Sequence, residues 1–341
     1  MKPLKQLETR VNRTYRGGKL LDEFLGKKDA VDSFFPEDWI SSFVEAKNKN
    51  YVENEGITRV EAHGGEKLIT DCVNKAHFGQ GRETPGVLIK YLDSAERLGI
   101  QVHPTKEYAK KHFGSNFGKT ECWHILGVRE EMNPSVYLGF KEYVTKELFK
   151  ELFDKQDIQG LLDCMHKFEV KCGDTILVTG GMPHAIGAGC FLLEIQEPSD
   201  YTMRAEKVTV AGEVLTPMQI HYGVGEENML DCFDYTPRTQ EEIKSLFFLS
   251  PKAERMQLYE KQELVGYCDT ACFALYKIDC KKYTVFEDMF VTVCILSDDG
   301  YMEYDGEKRK VNRSEKYFIA QGEKVKFYNC AFLVCCPPKT D

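Results

Sequence analysis

Ile100-Gln101-Val102-His103-Pro104 alternates apolar and polar side chains up to a proline. On a strand, successive side chains point to opposite faces, so Gln101 and His103 share one face and Ile100 and Val102 the other. An amide and an imidazole then point the same way from a strand whose other face is apolar. This is the pattern expected of a β-sandwich or barrel with a polar interior.

The neighbouring sequence extends the β reading in both directions. Upstream, Thr84, Pro85 and Gly86 carry turn chemistry, and Val87 to Ile89 begins an apolar strand that continues through Lys90 and Tyr91. Downstream, Lys106 to His112 reads as a helix and Gly114 to Gly118 as a loop. Thr120 to Leu126 then resumes strand character, with Glu121 and Trp123 on one face. The segment Thr145 to Phe168, with Leu, Phe, Lys and Glu at three- and four-residue spacing, predicts a helical layer. Strands return over Lys171 to Val178. Pro183 to Gly189, followed by the apolar run Cys190 to Ile195, predicts a β-hairpin carrying His184 near its turn. Met218 to Leu249 is again helical in pattern, and Pro251 to Lys261 reads as a connection. From Leu264 to Lys339 the chain is short strands and turns without a histidine. The expected organisation is a metal-binding unit over 1–250 and a second, metal-free β unit over 251–341.

Zinc and similar ions take imidazole nitrogen and carboxylate oxygen, and occasionally amide oxygen. Gln101, His103, Glu121 and His184 supply those donors, and the inward faces of a closed antiparallel barrel bring separate strands together. On spacing alone, a histidine beside a proline fits a hydrogen-bonded turn residue as well as a ligand. His63, His77, His112, His124, His166 and His221 show no comparable pairing and read as surface or packing residues. Gly187 and Gly189 have no following helix, which argues against a nucleotide loop.

A length of 341 residues favours two domains. The net charge of -9 argues against a nucleic-acid partner, whose phosphates need clustered Lys and Arg. No apolar run reaches membrane-spanning length, and Met1 to Tyr15 has no signal-peptide core, so no membrane association and a cytoplasmic location are expected. The 13 cysteines are scattered and odd in number; Cys268 with Cys272, and Cys335 beside Cys336, lack the CxxC spacing of a zinc ribbon. They read as buried filler.

Three separated motifs resemble the type I mannose-6-phosphate isomerases, a cupin family, and most nearly its shorter bacterial branch. They are Ile100-Gln101-Val102-His103-Pro104, Gly118-Lys119-Thr120-Glu121-Cys122-Trp123 and Pro183-His184-Ala185-Ile186-Gly187-Ala188-Gly189. The likeness runs from Gly17-Gly18-Lys19-Leu20 through Pro36-Glu37-Asp38-Trp39 to the C-terminal β unit. It implies a mainly β fold of cupin (double-stranded β-helix or jelly-roll) barrels with an associated helical layer, the second barrel degenerate. It also implies one divalent metal ion per chain, zinc first, on Gln101, His103, Glu121 and His184. The implied reaction interconverts mannose 6-phosphate and fructose 6-phosphate through an enediol, in a monomer or weak homodimer.

By the same resemblance Ser199-Asp200-Tyr201-Thr202-Met203-Arg204 supplies Asp200 and the catalytic Arg204, and Lys119 matches an active-site lysine. Asp200 is open to two roles, proton shuttle or a turn carboxylate that orients Arg204. Lys90, Arg16 and Trp39 are the expected substrate-binding residues. Gly99 stands where the family has serine, Arg16 where tryptophan is common, and Ala205-Glu206-Lys207 where an Asp-Tyr-Asp-Arg-like run often follows the arginine. These departures leave room for another sugar as substrate. A non-catalytic sugar-binding metal cupin is the other alternative, against which Lys119, Asp200 and Arg204 together argue.

Overall fold

The strand Cys190–Gln196, buried at every residue, lies at the middle of a seven-stranded antiparallel sheet in the computed structural model, which describes residues 1–339. The order across this sheet is Phe248–Leu249, Thr175–Val178, Glu121–Val128, Cys190–Gln196, Leu88–Ser94, Glu37–Ile40, Arg10–Val11. A five-stranded sheet packs against it, in the order Met165–Glu169, Ser135–Phe140, His184–Ile186, Gln101–Val102, Met203–Arg204. Between the two, Leu92, Trp123, Ile125 and Leu192 meet Val136, Leu138 and Ile186 in one apolar cluster. The predicted mainly β sandwich of cupin type is borne out.

Alternation decides what each strand face meets. Ile100 and Val102 turn away from the sandwich and pack with Phe149, Phe153, Leu161, Met229 and Phe233. Those residues come from the helices Lys146–Lys155, Ile158–Asp163 and Glu226–Leu230 and the turn after them, which form the predicted helical layer. On the other sheet Cys122, Leu193 and Ile195 face outward and join Phe290, Phe318 and Leu333 of the C-terminal unit. Their neighbours Glu121 and Glu194 are left facing the interior of the first unit. The helix Lys106–Phe113 is capped by the Thr105 hydroxyl, which accepts from the Tyr108 N–H at 3.1 Å.

The predicted hairpin around His184 is not formed. His184–Ile186 pairs with Gln101–Val102 and Ser135–Phe140, whereas Cys190–Gln196 pairs with Leu88–Ser94 and Glu121–Val128. The chain crosses from one sheet to the other at Gly187–Gly189. Ser94 stabilises the crossing: its hydroxyl donates to the Gly187 carbonyl and its own carbonyl accepts from the Gly189 N–H, each at 2.7 Å. These bonds satisfy the backbone groups that a hairpin partner would otherwise have met. The strand foreseen over 171–178 is confined to Thr175–Val178, because Asp174 closes a turn onto the Lys171 N–H at 2.9 Å.

Eight C-terminal strands and three N-terminal strands together form an eleven-stranded sheet. Leu4–Gln6 pairs with Lys316–Phe318, and Arg59–Ala62 and Gly65–Leu68 continue the edge. Residues on both sides of position 250 therefore share a sheet and an apolar core. All 13 cysteines are free thiols and most are buried, as filler would be. Among the described residues no helix is long and apolar enough to cross a membrane.

Candidate metal centre

His103, Glu121 and His184 converge from three strand segments between the sheets, at 1%, 1% and 0% exposure. One donor atom from each lies within 4.8 Å of the others. The Glu121 carboxylate approaches His103 Nε2 at 3.1 Å and His184 Nε2 at 3.6 Å. Gln101, opposite His184 in the strand register, brings its amide nitrogen to 3.1 Å from His184 Nε2. Close backbone packing makes the convergence possible. A Cβ on Gly118 or Gly180 would lie 2.6 or 2.8 Å from the Pro104 carbonyl oxygen, so both segments press directly on the chain just after His103.

The tautomers are set by the backbone. His103 Nδ1 lies 2.9 Å from the Tyr201 carbonyl and His184 Nδ1 lies 2.8 Å from the Met182 carbonyl. A carbonyl can only accept, so each Nδ1 carries its proton and each Nε2 lone pair faces the centre. Burial, with Lys119 adding to it, pushes His103 down to about 3, and burial lowers His184 as well. Burial alone would raise Glu121, but the Lys119 ammonium beside it holds the carboxyl well below its ordinary range. Two neutral imidazoles and a carboxylate, with an amide beside them, are the donor set a zinc-like divalent ion requires.

Lys119 provides a second test of that fit. Its ammonium lies 2.7 Å from His103 Nε2 and 2.6 Å from Glu121 Oε2, so a positive charge is already drawn to the focus of the donors. Because the donors are deprotonated in advance, metal binding at pH 7 is expected to release almost no ligand protons. Calorimetric titration in buffers of different ionisation enthalpy checks this; a release approaching one proton per ion would mean that His103 or His184 is charged beforehand.

From Glu121 a chain of alternating charges runs through the buried wall of a cavity. Lys119 lies 3.6 Å from Glu194, Glu194 3.3 Å from Lys90, and Lys90 3.6 Å from Glu37. Glu37 accepts from Arg13 at 2.9 Å, and Arg13 reaches both oxygens of Asp200 at 3.2 Å. Isolated buried charges are costly, and this alternation gives each one an opposite neighbour. Glu194, although it lies between Lys119 and Lys90, is raised well above the ordinary carboxyl range. Its Oε1 lacks a hydrogen bond, and burial together with the nearby Glu121 charge raises it to about 7.

Lys119, Lys90, Asp200 and Arg204 all line the cavity, as expected of site residues. Asp200 does not orient Arg204. Its carboxylate is taken by Arg13 and the Lys47 N–H, and these, with Lys90, hold it ionised against the effect of burial. Arg204 donates instead to the Thr202 and Gln219 carbonyls and, among the described residues, has no carboxylate partner.

Arg16 and Trp39 lie elsewhere. Arg16 is exposed, and its N–H donates to Glu96 beside a separate surface depression. Trp39 is fully buried beneath Arg13, 4.9 Å away, with its indole N–H on Glu37. Arg13, Glu37 and Glu194 went unpredicted. For Glu194 the signal was a single carboxylate inside Phe191-Leu192-Leu193-Glu194-Ile195, an apolar run in which a charge is expensive unless used.

No family model matches the chain. Curated relatives do match in part. A probable mannose-6-phosphate isomerase, GmuF of Bacillus subtilis, is 39% identical over 127 residues, 37% of this chain and 38% of that protein. The mannose-6-phosphate isomerase of Streptococcus mutans is 39% identical over 118 residues, 35% of each chain. The match thus spans less than two-fifths of these relatives' length. Solved structures agree over nearly the whole chain. The Bacillus subtilis mannose 6-phosphate isomerase superposes with a TM-score of 0.75 at 18% identity, covering 98% of this chain and 99% of that one. A mannose 6-phosphate isomerase solved with zinc bound gives 0.72 at 15% identity, covering 99% and 100%. The resemblance read from the three motifs is matched by similar sequences over part of the chain and by the same fold over nearly all of it.

Proposed function

We propose that this chain is a metal-dependent aldose–ketose isomerase that interconverts mannose 6-phosphate and fructose 6-phosphate through an enediol. One divalent ion, zinc first, would be held by Gln101, His103, Glu121 and His184. The observation that carries the reading is the buried His–Glu–His triad, whose Glu121 lines, with Gln101, a cavity whose wall also holds Glu194, raised to about 7. When bound, the ion would supply a fixed positive charge beside the sugar oxygens.

In the aldose-to-ketose direction C2 loses a proton and C1 gains one, while O1 gains a proton and O2 loses one. A group that exchanges protons near neutral pH is needed beside those carbons. Glu194 fits that role, and Lys119 and Lys90 on either side hold it and offer donors to the sugar oxygens. Negative charge develops on the carbonyl oxygen, and Arg204, the cavity cation without a carboxylate partner, is placed to offset it. Asp200 acts through Arg13 as a positioning group. The proposed setting is a monomer or weak homodimer in the cytoplasm.

The test is a coupled isomerase assay with mannose 6-phosphate on protein of measured metal content, run beside a panel of free and phosphorylated hexoses and pentoses. Turnover of mannose 6-phosphate with about one metal ion per chain is the expected result. Equal activity on unphosphorylated sugars would overturn the phosphosugar assignment and favour an isomerase of the same chemistry on another sugar. Metal retained without any turnover would favour the non-catalytic sugar-binding cupin.

A further inference from the structure

The cavity continues in one direction beyond the triad. A smaller hollow shares Thr14, Tyr15, Gly99 and Arg204 with it and is closed by Arg97, Glu206 and Val210. With the reacting carbons at the triad, we place the far end of the substrate toward this hollow, because Arg13, Glu37 and Asp200, which also line the cavity, are tied to one another. This placement rests on the isomerase reading of the cavity.

The charge at that far end is held in a particular way. Arg97 presents its fork to Glu206 through two bonds, Nη1 to Oε1 at 2.6 Å and Nη2 to Oε2 at 3.0 Å. Glu206 also accepts from the Ile100 N–H at 2.7 Å and is 3% exposed. Its backbone is fixed on both sides by Gln156, which accepts from the Lys207 N–H and donates to the Ala205 carbonyl. Gly99 lacks the side chain that would separate this pair from the cavity; a Cβ there would come within 3.9 Å of Glu206 Oε1.

A phosphate monoester carries about -1.5 to -2 charge at pH 7 and binds best where planar guanidinium forks are free to meet it. Here the one guanidinium that lines this hollow alone, Arg97, is already occupied by a carboxylate, whereas Arg204 is shared with the main cavity and its reacting end. We infer that Glu206 is a specificity-determining residue. By holding Arg97 it makes a substrate's phosphate compete with a carboxylate, and so narrows the cavity's preference for phosphorylated over free sugars. Nothing in this step is covalent; the exchange is of one ion-pair partner for another.

The experiment is direct binding by calorimetry on the metal-loaded protein, with mannose 6-phosphate, inorganic phosphate and mannose as three separate probes. Wild type is compared with Glu206→Gln, Arg97→Gln and the double variant. Glutamine keeps an acceptor for the Ile100 N–H, and thermal melts report whether each variant is folded. Glu206→Gln is expected to tighten mannose 6-phosphate and inorganic phosphate by about three- to tenfold and leave mannose unchanged. Arg97→Gln is expected to weaken the two phosphates selectively, and in that background Glu206→Gln should lose its effect. The proposal is overturned by unchanged phosphate affinity in Glu206→Gln, by equal tightening with and without Arg97, or by no phosphate binding in any form. If Glu206→Gln does not fold, Arg97→Gln decides alone: equal loss for mannose and mannose 6-phosphate overturns the proposal. Because the readout is binding, a folded wild type that binds phosphate without isomerising counts against the isomerase reading and not against this one.

Discussion

Replacing His184 with alanine is expected to remove both the metal and the proposed isomerase activity. His184 contributes an Nε2 lone pair whose direction is set by the Nδ1 contact to the Met182 carbonyl. Its loss leaves His103 and Glu121 with a flexible amide as the third donor. Changes outside the ligand set typically cost ten- to a hundredfold in metal affinity, so loss of a ligand should cost at least about a hundredfold. Several kcal/mol of charge stabilisation go with the ion, or about a thousandfold in kcat. His124→Ala is the matched control. His124 is also buried and lies three residues along the strand from Glu121, but its Nδ1 is 2.9 Å from the Thr175 hydroxyl and it faces away from the triad. Metal analysis and kcat on both variants separate the cases: equal metal loss in the two, or full activity in His184→Ala, would refute the site.

Glu194→Gln is expected to lower kcat by about a hundred- to ten-thousandfold while the metal stays bound. The side chain keeps its size, and the loss falls on proton transfer. In wild type the rate should rise with pH through about 7 or somewhat lower, since a divalent charge at the triad favours the ionised carboxylate. That limb should vanish in Glu194→Gln. The same shift makes a stability prediction of opposite slope. Glu194 is raised from 4.5 to about 7, so between those values the folded chain holds a proton that the unfolded chain has released. Its contribution to stability is present below about pH 4.5, falls as pH rises toward about 7 and levels off above. Denaturant titrations across that window, wild type against Glu194→Gln, measure the difference; a flat difference would mean that Glu194 is already ionised in the fold.

The four proposed metal-site residues were legible because each sits in a short segment whose alternation or turn chemistry marks its face. Gln101 and His103 are two apart, the first in a strand and the second just past its end, and Glu121 and Trp123 repeat that spacing within another strand. The helical layer was legible for the same reason, since periodicity is a local property of the chain. The pairing of His184–Ile186 was not. A glycine-rich link between two apolar runs suits a hairpin and a crossing between sheets equally well, and the Ser94 bonds that decide it come from nearly a hundred residues away. Arg16 and Trp39 do not line the cavity, for a related reason: which side of a strand or turn borders a cavity depends on what else packs there.

The amino-acid order by itself determined the ligand types, the β scaffold and the presence of one histidine-bearing unit followed by one without histidine. Those follow from side-chain chemistry and from the two-residue and 3.6-residue periods, which act between near neighbours. Only the tertiary structure decided the rest. It joined Leu4–Gln6 to the C-terminal sheet, ordered Glu121, Lys119, Glu194, Lys90, Glu37, Arg13 and Asp200 into one run of alternating charge, and gave Asp200 to Arg13 instead of Arg204. Coulomb energies and desolvation depend on distance and burial in three dimensions, and residues 187 positions apart in the chain can be each other's nearest charges.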